Sequence, residues 1–301
     1  MCSRTTLQSR NQPVPVKWML MLAALDRLTQ PQQTALRHRF PRFDVVADMS
    51  WNLVETTVLQ IATPEGRFVV KAGGAADHHI AREIRAHETW TGPWVATGRA
   101  ARMVHSDRNA KLVVTEFLPG QLVQGDAAMS NLDTYAQAGQ LLAAFHAQES
   151  VEDDGYERRA NDKSLRWLAA PHRIEPDVAE RLRAMIRSWP TPTTTMVPTH
   201  GDWHTRNWII DDGIVRVIDF GRTDLRPAIE DFDRLAAREF IRIPGAEDAF
   251  LGGYGTDPRE PNAWFRQRIR AAVGNAVWAF QVGDEAFEAE GHQMIAQLLG
   301  G

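Results

Sequence analysis

The spacing of apolar residues along the chain changes near residue 118. Before that point, Val, Ile, Thr and Phe alternate with polar residues and predict β-strands. These segments are 43–61, 67–73 and a hairpin over 101–117 that turns around Ser106–Asn109. Helical spacing predicts two helices in the same part of the chain, over 17–38 and 81–90. The first part of the chain is therefore expected to form a small α+β unit.

After the breaker Leu118-Pro119-Gly120, the apolar residues recur mainly at helical spacing. Ser130, with Asp133 three residues later, predicts the start of a helix. Only two further strands are predicted, 207–210 and 214–220, with Asp211-Asp212-Gly213 as the hairpin turn between them. Residues 228–301 are expected to be mostly helical. The pattern predicts an N-terminal lobe over 1–118, with 1–16 as a loose tail, and a helical C-terminal lobe over 119–301.

Composition excludes several classes of protein. Hydrophobic residues make up 44% and charged residues 24% of the 301-residue chain, as in ordinary globular proteins. The single cysteine, Cys2, allows neither an internal disulfide nor a cysteine-based metal site, which suits a reducing cytoplasm. The apolar run at 18–25 is too short to span a membrane and continues into Asp26 and Arg27. We therefore expect a cytoplasmic protein without a membrane partner; export, directed by this run as a signal peptide, is the minor alternative.

Charge is distributed unevenly between the two predicted lobes. Residues 1–118 contain 15 basic and 10 acidic side chains, and the remainder contains 19 and 28, which gives +5 and −9. This asymmetry favours an anionic ligand for the first lobe and a cationic or neutral ligand for the second. Ordinary solvated surfaces would account for it equally well. The net charge of −4 gives no indication of nucleic-acid binding.

The segment HGDWHTRN at 200–207 contains the most informative side chains. His200, Asp202 and His204 on one side of a strand would resemble part of a zinc site, which would need a further protein ligand. Asp202 followed by Asn207 in a loop, with Asp219 at the end of the partner strand, is instead the oxygen donor set that Mg²⁺ prefers. Phosphoryl transfer also needs a cation on the phosphates, and Lys71 at a strand end can provide it.

Several motifs together resemble the aminoglycoside phosphotransferase family, whose members are related to the protein kinases. HGDWHTRN and IDFG (218–221) resemble its catalytic loop and metal-binding motif. The other similar segments occur in family order: VVK (69–71), REIRAHE (82–88), EFLPG (116–120), LLAAFHA (141–147), PAIEDFDRLA (227–236) and a C-terminal segment over 277–295. The resemblance implies a two-lobed, protein-kinase-like α+β fold and a kinase that uses ATP, or GTP in its place, with Mg²⁺.

The resemblance also implies a role for each matching residue. Asp202 would be the catalytic base that orients the acceptor hydroxyl. Asn207 and Asp219 would bind Mg²⁺, and Lys71 with Glu83 would place the α- and β-phosphates. The backbone of Glu116, Phe117 and Leu118 would contact adenine. Asp231 would support the catalytic loop. His200 and His146 are expected to be buried structural histidines.

Two features depart from the family pattern. The segment DMSWN (48–52), where a nucleotide-covering loop is expected, contains no glycine, so Ser50, Asn52 or plain backbone would contact the phosphates. His204 and Arg206 stand where related kinases place a cation near the transferred phosphoryl group. Arg206 is the better candidate because its charge is permanent.

The acceptor is the least defined part of the prediction. Acidic residues of the second lobe would favour a polycation such as an aminoglycoside. They are Asp224, Glu230, Glu247, Asp248, Asp257, Glu260, Asp284, Glu285 and Glu288. A neutral or zwitterionic metabolite is the alternative acceptor, while a non-catalytic ATP-binding protein and a protein kinase are less favoured. Trp203, Trp208, Trp264 and Trp278 are expected to lie mostly in the core, and no obligatory protein partner is predicted.

Overall fold

The computed structural model describes residues 24–50 and 55–300. They form two compact units: the described residues up to Ile84 with Arg102–Phe117, and Arg85–Ala101 with the residues from Leu118 onward. Segment 85–101, which the prediction placed in the first lobe, thus clusters with the second unit. The physical reason is the ring of Trp94, which stacks on Phe145 with 4.4 Å between centroids.

The first unit contains a five-stranded antiparallel sheet with the strand order β1-β2-β3-β5-β4. Its strands are β1 (Asp44–Asp48), β2 (Thr57–Thr63), β3 (Gly66–Ala72), β4 (Met103–Asp107) and β5 (Leu112–Glu116). Alternate residues face the core: Leu59, Ile61 and Val70 are fully buried, and Leu36 packs with them. This alternation confirms the strand pattern expected from the sequence. Helix α1 (Gln30–Arg39) and the start of helix α2 (His79–Thr89) complete the unit.

The helix predicted over 17–38 is only partly present in the described residues. The predicted tail 1–16 and the first residues of this helix lie outside them. From Ala24 onward the chain turns at 26–28, and α1 begins at Gln30. Thr29 and Gln32 form a capping box, and Pro31 occupies the first turn. Proline is favourable there but would break a helix interior, so the prediction of one continuous helix was wrong.

The second unit is mainly helical. Its helices are α2 from Arg85, α3 (Gly92–Ala96), α4 (Leu132–His146), α5 (Tyr156–Ala169), α6 (Pro176–Ser188), α7 (Asp233–Ala237), α8 (Glu239–Arg242), α9 (Ala246–Tyr254), α10 (Pro261–Val282) and α11 (Glu285–Leu299). Two three-stranded sheets accompany them: β10-β9-β6 and β11-β8-β7. The strands are β6 (Gln121–Leu122), β7 (Val151–Asp153), β8 (Thr194–Thr199), β9 (Trp208–Asp211), β10 (Ile214–Val217) and β11 (Asp224–Arg226). None of the described helices is long and apolar enough to cross a membrane.

Two details of this unit differ from the prediction. The second unit was expected to add only two strands, yet β6, β7, β8 and β11 are also present. β6, β7 and β11 have only two or three residues, none of them buried, so their apolar pattern is weak. β8 is longer but contains Pro198, which argues against a strand in the sequence. Asn131, not Ser130, caps α4 by accepting a hydrogen bond from the Asp133 amide. The β9-β10 hairpin is confirmed, with positive φ angles at Asp212 and Gly213 in its turn.

Helices α4 and α9 approach each other closely at two glycines. A Cβ atom on Gly139 would lie 2.1 Å from the Phe250 carbonyl oxygen, and one on Gly253 would lie 2.0 Å from that of Ala136. Gly252, next to Gly253 on α9, has open space around it. The helix contact therefore depends on the missing side chain at Gly253 but not on that at Gly252.

Gly253→Ala is expected to lower the free energy of unfolding by about 1–3 kcal/mol, because the added methyl group forces the two helices apart. Gly252→Ala is the matched control on the same helix and should leave stability unchanged or raise it by up to ~1 kcal/mol through helix propensity. Urea unfolding of both variants measures the difference. Equal effects of the two substitutions would contradict this account of the helix contact.

Candidate active site

The loop after β8 is held by one buried carboxylate. Asp231, with a fully buried side chain, accepts hydrogen bonds from the amides of His200 (2.7 Å) and Gly201 (2.6 Å). His146 Nε2 lies 3.0 Å from the same carboxylate, and its Nδ1 lies 2.9 Å from the hydroxyl of Tyr254. Burial opposes ionisation of Asp231, yet these partners hold its pKa below the ordinary value. Both histidines are buried, as expected from the sequence.

Gly201 is required for this loop conformation. Its φ of +77° lies in the left-handed region, and an added Cβ would come within 2.4 Å of the Arg222 carbonyl oxygen. This conformation places the next residue, Asp202, beside the His200 and Gly201 amides that Asp231 holds. Further along, Thr205 donates its hydroxyl proton to the buried Glu239 at 2.9 Å. The loop is therefore fixed at both ends.

Asp202 lies among donors and cations. The Asn207 side-chain amide donates to the Asp202 backbone carbonyl (2.8 Å) and to its Oδ2 (3.2 Å). Arg234 Nε approaches Oδ1 to 2.6 Å, His204 Nε2 lies 3.6 Å from Oδ1, and Arg222 Nε lies 4.0 Å from Oδ2. Burial opposes ionisation, but the His204 imidazole and the two guanidinium groups hold the pKa of Asp202 far below its ordinary value.

The two oxygens of Asp202 have different surroundings. Oδ1 has no solvent-exposed surface and is paired with the Arg234 guanidinium at 2.6 Å. Oδ2 accepts one hydrogen bond, from Asn207 at 3.2 Å, and the side chain is 17% exposed. A carboxylate oxygen can accept a second hydrogen bond from an incoming hydroxyl group. This combination of charge and free acceptor capacity is what orientation of a nucleophilic hydroxyl requires.

Asn207 and Asp219 are brought together by the β9-β10 hairpin. The Ile218 amide donates to the Asn207 carbonyl at 3.0 Å, and Asp219 follows directly with a positive φ of 69°. Non-glycine residues adopt this conformation at a cost, and such strain often marks functional positions. The side-chain amide nitrogen of Asn207 faces Asp202, so its carbonyl oxygen remains available as a ligand.

This donor set fits Mg²⁺. Amide and carboxylate oxygens are suitable ligands, and Mg²⁺ retains water and phosphate oxygens for its remaining positions. Among residues 24–50 and 55–300 no cluster of three or more His, Cys, Asp or Glu side chains is arranged to hold a metal ion. Asn207 and Asp219 would therefore need nucleotide phosphates to complete the coordination.

Lys71 and Glu83 form an ion pair within the first unit. The Lys71 Nζ lies 3.0 Å from Oε1 and 2.7 Å from Oε2 of Glu83. Lys71 is near the end of β3, and Glu83 is on α2, with side-chain exposures of 18% and 6%. A lysine held by a buried carboxylate is positioned to bind phosphate oxygens as a point charge.

The other predicted nucleotide contacts are in varied surroundings. The Ser50 hydroxyl accepts a hydrogen bond from the Val58 amide, and Asn52 lies outside the described residues. The backbone amides of Glu116 and Phe117 already donate to carbonyl oxygens of the first unit. Only the carbonyl oxygens of Glu116 and Phe117 could then contact adenine. Leu118 is half-buried, and Arg206 is exposed on the short 3₁₀ helix Thr205–Asn207.

A cavity of about 150 Å³ lies beside Asp202 within the second unit. It is lined by the catalytic loop, α7, α10 and α11, and its polar walls include Asp233, Arg234, Arg238 and Glu290. We call it the acceptor cavity. The sequence-based prediction missed these four residues. Asp233 and Arg234 lie in the family-like segment PAIEDFDRLA, two and three residues after Asp231. This closeness in sequence could have predicted that they lie near the catalytic loop.

Most of the acidic residues predicted to attract a polycation form ion pairs with arginines or cap helices. Several pair with arginines: Asp224 with Arg85, Glu230 with Arg226, Glu247 and Asp257 with Arg259, and Glu288 with Arg173. Glu260 and Asp284 cap the N-termini of α10 and α11. Among the predicted tryptophans, Trp203 and Trp208 are buried, whereas Trp278 is 43% exposed.

The model of the phosphotransferase enzyme family, APH, matches residues 51–264. Since this segment covers more than two thirds of the chain, the protein belongs to that family, as the motifs predicted. A comparison with curated protein sequences finds no match.

Solved structures with the same fold include antibiotic and choline kinases. Macrolide 2′-phosphotransferase MphH from Brachybacterium faecium is 16% identical, with 90% of this chain and 98% of that chain covered and a TM-score of 0.54. Choline kinase LicA from Streptococcus pneumoniae is 13% identical, with coverages of 90% and 99% and a TM-score of 0.62. A thermostable aminoglycoside phosphotransferase APH(4)-Ia variant, in complex with ADP and hygromycin B, is 11% identical, with coverages of 90% and 98% and a TM-score of 0.66. The two-lobed, protein-kinase-like α+β fold is thus confirmed.

Proposed function

We propose that this protein transfers the γ-phosphoryl group of ATP to a hydroxyl group of a small molecule. The observation that carries the proposal is the environment of Asp202, a largely buried carboxylate that neighbouring cations keep ionised and whose partly exposed side chain borders a cavity. A protein that only binds nucleotide has no use for such a group. ATP as donor is consistent with the cytoplasmic location expected from the sequence.

In the proposed reaction, Asp202 accepts the proton of the acceptor hydroxyl as its oxygen attacks the γ-phosphorus. A new O–P bond forms, the bond from the γ-phosphorus to the bridging oxygen breaks, and ADP leaves with that electron pair. Lys71, held by Glu83, contacts the α- and β-phosphates. Mg²⁺, held by Asn207 and Asp219, would neutralise phosphate charge. GTP is the alternative donor.

Two acceptor classes are supported by different observations. Aminoglycosides are supported by a structural neighbour that binds hygromycin B. A compact metabolite is supported by the acceptor cavity, because its volume of about 150 Å³ is well below the ~300–1,000 Å³ typical of drug-sized ligands. The ion pairs of the acidic residues also reduce the attraction for a polycation. Of the two classes, the geometry favours the compact acceptor.

The experiment that tests the proposal is an ADP-release assay with ATP or GTP and Mg²⁺ over a panel of aminoglycosides, macrolides, amino alcohols, sugars and hydroxy acids. Mass spectrometry identifies the phosphorylated product. Acceptor-dependent ADP release that EDTA abolishes would support a Mg²⁺-dependent kinase. If no acceptor stimulates ADP release and calorimetry detects no ATP binding, the proposed function is wrong.

Glu83→Gln is expected to weaken ATP binding, because the uncharged amide no longer holds Lys71 by a charge-assisted pair. The KM for ATP should rise by about 10- to 100-fold, corresponding to roughly 1.5–3 kcal/mol for such a contact. The matched control is Glu65→Gln, which removes a surface pair with Arg39 in the same unit. Steady-state kinetics with varied ATP measure both variants, and an unchanged KM for Glu83→Gln would contradict the assignment of Lys71 to the phosphates.

A further inference from the structure

Asp202 has more positive than negative charge around it. Arg234 and Arg222 are permanently charged and lie 2.6 Å and 4.0 Å from its two oxygens. Two guanidinium groups thus face one carboxylate, while the other carboxylates of the site have their own partners: Asp231 accepts the His200 and Gly201 amides, and Glu290 accepts from Arg238. A cationic group of an acceptor would meet like charge here, and like-charge contacts are unfavourable at binding sites.

Arg234 lines the cavity with both terminal nitrogens unused as donors. Its Nε faces Asp202, and its guanidinium lies 5.9 Å from the ring centre of Phe287; within the described part of the chain its two terminal nitrogens donate no hydrogen bond. Arg238, the other arginine of the acceptor cavity, differs in this respect. Its Nε and Nη2 donate to both oxygens of Glu290 at 3.0 Å and 2.8 Å. Of the two arginines in the cavity, Arg238 is thus held by Glu290 through two of its nitrogens, and both terminal nitrogens of Arg234 remain as donors.

Apart from Asp202, the acidic side chains of the acceptor cavity already have partners or are held toward the neutral form. Glu290 is occupied by Arg238, and Glu230 accepts the Tyr156 hydroxyl and pairs with Arg226. Burial raises the pKa of Asp233 to about 8 and so favours its neutral form, and Gln267 donates to its Oδ2. Besides Asp202, the cavity thus offers N–H donors without hydrogen-bond partners and no unpaired carboxylate.

We infer that the acceptor carries a carboxylate close to the hydroxyl that is phosphorylated, and that the terminal nitrogens of Arg234 bind this carboxylate in the acceptor cavity. The planar guanidinium presents donors in the geometry that a carboxylate matches. Arg234 would then bridge Asp202 and the acceptor, and thereby place the hydroxyl next to the base. The cavity volume of about 150 Å³ suits a compact hydroxy acid. The inference rests on the proposed function and names its substrate class.

The test compares matched compounds that differ only in charge. The probes are glycerate with glyceramide and glycerol, gluconate with sorbitol, glycerol phosphate as a non-carboxylate anion, and choline and kanamycin as cations. Calorimetry on the ADP-bound protein measures binding, and ADP release measures turnover. We expect a carboxylate to bind about 10- to 150-fold more tightly than its uncharged analogue, as for a charge-assisted hydrogen bond.

Two arginine variants separate recognition of the carboxylate from support of Asp202. Arg234→Gln should raise the Kd and KM of the hydroxy acid by about 10- to 150-fold and change the values for the uncharged analogue little. If Arg234 only positions Asp202, kcat falls equally for both compounds and KM is unchanged, and the inference is overturned. Arg234→Lys, which keeps the charge, should recover part of the affinity. Arg85→Gln, in an ion pair outside the cavity, is the control.

The outcomes for this inference differ from those for the proposed function. ATP-dependent phosphorylation of choline, kanamycin or only uncharged compounds would leave the proposed function intact and overturn the inference. Carboxylates that bind no better than their amides, or do not bind at all, also overturn it, and so does a preference for glycerol phosphate alone. If Arg234→Gln does not fold by thermal melting, Arg222→Gln serves instead, since its half-exposed side chain should contribute a smaller part of the same preference.

Discussion

Asp202→Asn is expected to lower kcat by about 10²- to 10⁴-fold, the usual contribution of a general base. The amide keeps the shape of the side chain but cannot accept the hydroxyl proton. The residue accepts the Asn207 amide and lies beside Arg234, so some loss of local order will accompany the substitution. ATP binding should change little, because Lys71 and Glu83 belong to the other unit.

Turnover with a saturating acceptor measures kcat, and calorimetry with ATP measures nucleotide binding. Asp224→Asn is the matched control, because it also removes a carboxylate paired with an arginine in the second unit, at 39% exposure. The control should retain nearly full kcat. An Asp202→Asn variant with unchanged turnover would show that another group activates the acceptor, and the mechanism proposed for Asp202 would have to be abandoned.

Local sequence was sufficient to predict the part of the site that lies on one hairpin. Asp202, Asn207 and Asp219 are separated by fewer than 20 residues, and the turn Asp211-Asp212-Gly213 determines how β9 and β10 pair. Turn chemistry and strand alternation are short-range properties, so they can be recognised in a single sequence. The roles of these three residues in catalysis came from the family resemblance and stay predictions.

The walls of the acceptor cavity could not be predicted in the same way. Arg234, Arg238 and Glu290 come from α7, the link to α8, and α11, and they meet only after the helices have packed. Ion pairing likewise depends on tertiary contacts. Composition alone suggested an acidic, polycation-binding surface, but most of those carboxylates pair with arginines or cap helices. A count of charges gives no information about which charges neutralise each other.

The capping error at α4 has a similar origin. Ser130 and Asn131 are adjacent, and both residue types are good N-caps, so the sequence pattern permits either one. In the structure Ser130 ends the 3₁₀ helix Ala127–Ser130, which leaves Asn131 to accept the Asp133 amide. The 3₁₀ helix before α4 decides which of the two residues caps it, and the identity of the two residues does not predict where that 3₁₀ helix ends.

Asp231→Asn is expected to have the largest effect on stability. An asparagine has one acceptor oxygen, so it cannot receive both the amides of His200 and Gly201 and the imidazole of His146 as the carboxylate does. Each buried donor left without a partner costs about 1–3 kcal/mol. The loop that presents Asp202 should also loosen, so kcat should fall although Asp231 contacts no reacting atom.

Urea unfolding measures this loss of stability, and Asp153→Asn is the matched control. Asp153 also accepts a backbone amide and pairs with an arginine, but its side chain is 27% exposed, so its replacement should cost far less. Because the pKa of Asp231 is lowered in the folded state, its contribution is present above the ordinary Asp value of ~4 and is lost as the pH falls below it. The difference in unfolding free energy between the wild-type protein and Asp231→Asn should therefore shrink in acid, and a constant difference would mean that the charge of Asp231 does not stabilise the catalytic loop.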